Sequence, residues 1–125
     1  MKRLFLAVLL LLAVGTASAG LITALLLNAS TTGAGTGVNY ASFTPTIPLP
    51  NRWFQATLNG ASAVSATVEI DGSTDNVNWV PVATIALTSG SPTSAVAVVS
   101  TAPYMRGNIT AISGTGETVT LRSGE

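Results

Sequence analysis

From Arg52 onward, polar and apolar residues trade places one by one. "RWFQATLN" sets Trp53, Gln55 and Thr57 against Phe54, Ala56 and Leu58. "AVSATVEID" sets Val64, Ala66, Val68 and Ile70 against Ser65, Thr67, Glu69 and Asp71. A period of two marks a strand with one buried face, because successive side chains leave a strand on opposite sides. "NWVPVATIAL" continues the pattern, with Trp79, Pro81, Ala83 and Ile85 on one side and Val80, Val82 and Thr84 on the other. Residues 94–100, 104–112 and 117–123 complete the series. In 104–112, Tyr104, Arg106 and Asn108 share one face and Met105, Gly107 and Ile109 the other. Turns fall at Asn59-Gly60, Asp71-Gly72, Ser89-Gly90 and Ser113-Gly114. Together these features predict about seven or eight strands, spaced roughly ten residues apart, as in an antiparallel β-sandwich. The fold class is all-β, of jelly-roll or immunoglobulin-like kind.

Upstream of Arg52 the pattern changes. "MKRLFLAVLLLLAVGTASAG" joins a basic start (Lys2, Arg3), an apolar run from Leu4 to Val14 and small residues with Ala17 and Ala19 ahead of Gly20. That is the three-part pattern of a signal peptide cut after residue 19. The apolar run is short for a span, which needs about 20 residues. Left uncut, residues 1–27 form a longer, interrupted apolar segment, and a membrane becomes a partner only in that case. Leu21 to Leu27 is almost continuously apolar and predicts a strand that is buried or covered by another chain. Pro45, Pro48 and Pro50 make 40–51 an extended crossing or edge segment, since proline cannot donate to a ladder. The organisation expected is 1–19 signal or anchor, 20–51 N-terminal strand and Gly/Pro-rich arm, and 52–125 sandwich core.

Composition narrows the chemistry. Only 8% of residues are charged, and His and Cys are absent. The commonest bases, nucleophiles and transition-metal ligands are therefore missing. Removal of residues 1–19 leaves Arg52, Arg106 and Arg122 against Glu69, Asp71, Asp75, Glu117 and Glu125, a net −2 with no lysine. Nucleic-acid binding requires clustered basic charge, and none is present. Glu69 and Asp71 lie two apart on one strand and share a face, which suits solvent better than a catalytic pair. The expectation is a protein that is not an enzyme and uses no cofactor.

"DGSTDNVNWV", Asp71 to Val80, is the densest polar stretch. Asp71, Asp75 and Asn76, with Ser73 and Asn78, offer oxygens for a calcium ion, but their order lacks the spacing of a calcium-hand loop. A turn accounts for every residue: Asp71-Gly72 and Asp75-Asn76 tolerate positive φ and bond their own backbone, closing a hairpin between 64–71 and 78–87. Trp79 then packs on the core as the second strand begins.

The same stretch carries a resemblance. "VEIDGSTDNVNWVPVATIAL" is similar to a strand–S-x-D-G/N-x-N-W–strand hairpin of bacteriophage-encoded β-sandwich proteins. "STAPYMRGNITAISGTGETVTL" resembles the ending of small phage virion-associated proteins at Ala102, Pro103, Tyr104, Arg106, Asn108, Thr110, Gly114, Thr115 and Gly116. The likeness covers residues 52–123 and implies a structural particle protein: a head decoration, a fibre module or a tail-associated piece. The hairpin also resembles those of discoidin-like and other carbohydrate-binding sandwiches, where exposed aromatics stack on sugars. The aromatic candidates for that role are Trp53, Trp79, Tyr40 and Tyr104, and alternation assigns Trp79 to the core.

Two expectations result. The first is a non-enzymatic virion or extracellular assembly protein, partnered by its own copies or other particle proteins, with Leu21, Leu25, Leu27, Trp53, Trp79, Tyr104 and Arg106 as interaction candidates. The second is a secreted module that binds a glycan or a surface. Within either, Arg106 is expected to pair with Glu69 or Asp71 across the sheet or across a subunit contact.

Overall fold

A computed structural model of the chain describes residues 23–40 and 51–124. The signal-like segment 1–19, Leu21 and the three closely spaced prolines lie outside the described residues. Among the described residues nine strands form: β1 (Ala24–Ala29), β2 (Gly33–Ala34), β3 (Val38–Asn39), β4 (Asn51–Asn59), β5 (Ser62–Ser73), β6 (Val80–Thr88), β7 (Thr93–Val99), β8 (Tyr104–Thr115) and β9 (Thr118–Gly124). They make two antiparallel sheets. The first runs β1-β9-β4-β7; the second runs β2-β8-β5-β6, with β3 also paired to β8.

The order is nested. With β2 and β3 taken as one interrupted strand, the first and last described strands pair (β1 with β9), then β2 and β3 with β8, β4 with β7, and β5 with β6. The short strands β2 and β3 arise in "STTGAGTGVN", where small residues hid them from any hydrophobic pattern. Because β1 to β3 are hydrogen-bonded into both sheets, residues 24–40 belong to the same unit as 51–124.

One core lies between the sheets. Phe54, Ala56, Leu58, Val119 and Leu121 from the first sheet meet Ala66, Val68, Ile70, Ile85, Leu87, Met105 and Ile109 from the second. Removing each large apolar side chain from water contributes about 1.5–3 kcal/mol. The alternation in β4 is realised residue by residue: Phe54, Ala56 and Leu58 are buried, and Trp53 and Gln55 are exposed. The layers approach closely at Gly107, where an added Cβ would lie 2.5 Å from Leu121 Cδ2 and 3.2 Å from Leu27 Cβ. Glycine in mid-strand here serves close packing of the sheets.

Bulges alter several assignments made from strict alternation. In β1, Leu25 pairs with Arg122 and Leu27 with Leu121, so Leu26 is an inserted residue. That insertion buries Leu26 and Leu27 together, while Leu25 stays 57% exposed. Leu27 is thus a core residue of its own chain. A second bulge against β8 lies between Ala63 and Ser65 and leaves Val64 55% exposed, off the face it was expected to share with Ala66. Asp71 and Gly72 continue β5 and are not the turn, and Ser113-Gly114 lies within β8, with the bend falling at Gly116 (φ 69°).

Candidate functional site

The turn between β5 and β6 organises itself around Asp75. The backbone N–H groups of Val77 and Asn78 donate to Asp75 Oδ1 at 2.9 and 2.8 Å, and the Ser73 hydroxyl donates to the same oxygen at 3.0 Å. Asn78 Nδ2 donates to Oδ2 at 2.7 Å. The Asn78 backbone N–H above all, then its side-chain amide, the Val77 N–H and the Ser73 hydroxyl, hold the Asp75 carboxyl far below the ordinary carboxylate range. Asn76 adopts φ 60°, a left-handed conformation that asparagine tolerates. Both Asp75 oxygens are therefore committed to donors in their own loop. Asp71, the other carboxylate of the stretch, faces away into an ion pair. Among the described residues no three carboxylates cluster.

That ion pair is the most strongly built polar feature of the second sheet. Asp71 and Arg106 are direct cross-strand partners on β5 and β8. Arg106 Nε donates to Asp71 Oδ2 at 2.9 Å, and the guanidinium lies over the Trp79 ring, 4.4 Å from its centroid. Asp71 is only 3% exposed, although it stands on the outer face, because Arg106 and Trp79 roof it. Trp79 is half-buried against this pair and does not sit in the inter-sheet core. Gly37 packs against the same ring: an added Cβ there would lie 2.7 Å from Trp79 and collide with Asn76 Oδ1. Sequence thus places a turn, a strand pair and the N-terminal arm against one cation–π sandwich. Tyr104, also on β8, is half-buried and pairs in register with Asn39 and Ser73.

A second arginine is buried outright. Arg52 is 3% exposed, stacks on Tyr40 at 4.4 Å and donates from Nη1 to the Ala102 carbonyl at 2.8 Å. Tyr40 is itself buried, with its hydroxyl hydrogen-bonded to Ser123 Oγ. The signal is present in "RWFQATLN", where Arg52 shares the inward parity of Phe54.

The outer face of the first sheet is different in kind. Trp53 is 54% exposed and in register with Gly124 on one side and Ala97 on the other, so neither neighbour covers the indole. Two residues along, Gln55 lies beside Arg122, and beyond it Thr57 lies beside Thr120. Gln55, Thr57, Asn59, Thr120 and Arg122 line a shallow depression of about 220 Å³. On the edge of this sheet, β1 pairs only with β9 among the described residues, and an open groove runs between it and residues 34–38.

No family model matches the sequence, and no curated protein matches it. The fold is similar to that in the crystal structure of PBSX exported protein XepA, with a TM-score of 0.59 and 16% sequence identity over 82% of this chain. The match takes in 36% of that protein, so the chain spans about a third of its length.

Proposed function

We propose that this is a non-enzymatic structural protein that works by assembly, as a component of a bacteriophage-like particle: a capsid decoration, a head fibre or a tail-associated piece. The nested strand order is that of a jelly roll, an architecture shared by viral capsid and lectin domains. The phage-like stretches of sequence fall on β5, β6, β8 and β9, of which β5, β8 and β9 are interior strands of their sheets. A fold serves many functions, so the weight rests on one observation. Strand β1 ends the first sheet with an exposed Leu25, no charge and no proline, and its outer edge is unpaired among the described residues. Such an edge is a template for a strand from another chain. The Leu26 bulge twists this edge and Gly35 lies against the Leu26 carbonyl, which disfavours open-ended stacking and leaves room only for a partner shaped to the strand.

The polar groups support a structural role. Asp71 and Arg106 neutralise each other, and Asp75 is occupied by its own turn. The fold is shared with a protein named as exported, in keeping with an extracellular or virion location after loss of residues 1–19. Density-gradient fractionation of the source, with intact mass of the chain, tests the reading. The chain is expected to travel with particles and to begin at Gly20. A chain found only as free protein, away from any particle, contradicts the assignment.

A further inference from the structure

The outer face of the first sheet lies apart from the β1 edge on which the assembly reading rests. The face places an open indole at one end, a row of hydroxyls and amides along its middle, and a single cation between them. Trp53 leads, Gln55 and Thr57 follow on β4 at steps of about 7 Å, and Arg122 and Thr120 stand beside them on β9. Among the described residues no carboxylate pairs with Arg122, whereas Arg106 has Asp71 and Arg52 has Tyr40 and Ala102. Among the described residues this is the one arginine whose planar fork is left to face solvent.

We propose that this face binds an acidic saccharide, with a sugar ring stacked on Trp53 and a uronate carboxylate held by Arg122. The indole face is electron-rich and attracts the weakly positive C–H groups on one side of a pyranose. The depression beside it is lined wholly by hydrogen-bonding side chains, which suits sugar hydroxyls and gives an apolar peptide side chain nothing to enter. Arg122 supplies charge complementarity: its guanidinium matches a carboxylate with two parallel hydrogen bonds. A lone cation does not bind a nucleic-acid backbone, which needs several phosphates neutralised at once. The site lies on one chain, so it stands whether or not the protein assembles.

The test is calorimetric titration of the full chain with tetragalacturonate, with the same oligosaccharide after reduction of its carboxyl groups, and with tetraglutamate. Tetragalacturonate binds, and the carboxyl-reduced form and the peptide bind at least about tenfold more weakly, because the charge-assisted pair and the stacked ring are both needed. Arg122→Gln lowers the affinity for tetragalacturonate to that of the reduced form. Trp53→Ala weakens both saccharides about tenfold. Both residues are exposed, so the melting temperatures of the variants stay close to that of the parent, and Trp79→Phe serves as the aromatic control that retains binding. Absence of binding, equal binding of the charged and reduced saccharides, equal binding of tetraglutamate, or indifference to Arg122→Gln overturns the proposal. None of these results bears on assembly, and a monomeric protein that binds the saccharide separates the two readings.

Discussion

Arg106 is held between Asp71 and Trp79, with its Nε 2.9 Å from the carboxylate and its guanidinium 4.4 Å above the indole. The carboxylate is nearly sealed from water, and the arginine side chain retains 23% exposure. Removing the arginine strands a buried charge. Arg106→Ala is expected to lower stability by about 2–4 kcal/mol, and Asp71→Asn by less, since a neutral amide is easier to bury. A double-mutant cycle in urea gives coupling above about 1 kcal/mol. Coupling near zero would show that the pair contributes nothing.

Asp75 predicts an acid-sensitive turn. Its carboxyl is depressed in the folded chain relative to the ordinary value of 3.8, so its hydrogen bonds stabilise fully above that pH. The contribution is lost as pH falls below about 3.8 towards the lower folded value. Asp75→Asn removes this dependence. The urea midpoints of parent and variant differ at pH 6 and converge as the pH drops through 3. A gap that stays constant over that range contradicts the role given to the carboxylate.

Gly107 predicts a packing defect. Gly107→Ala directs a methyl group at Leu121 and Leu27, both buried, and costs about 1–3 kcal/mol. The urea midpoint falls without a change in slope. An unchanged midpoint means the sheets separate more easily than their spacing implies.

Sequence made the strands of the second half legible because each buries one face. The Phe54, Ala56, Leu58 set and the hairpin between β5 and β6 follow directly from period-two patterning. What patterning cannot register is an extra residue, and so Val64 turned up on an unexpected side. It also missed β2 and β3, whose Gly, Ala and Asn side chains bury little and which form only because β8 offers them an edge. Asp71 looked solvated beside Glu69 because the residues that roof it, Arg106 and Trp79, are distant in sequence. The exposed face with Trp53, Gln55 and Arg122 was half legible: alternation put Trp53 outside, but the β4–β9 pairing that brings Arg122 beside Gln55 is a fact of topology.

Assembly through the β1 edge is the central claim, and light scattering coupled to size-exclusion chromatography tests it most directly. Protein produced from the full coding sequence is run across a hundredfold range of concentration, beside Leu25→Lys, which sets a charge on the edge strand. The parent is predicted to elute as a defined oligomer that dissociates on dilution, and Leu25→Lys to shift that equilibrium towards monomer with its fold intact. A parent that stays strictly monomeric at every concentration, or an oligomer indifferent to Leu25→Lys, contradicts the claim.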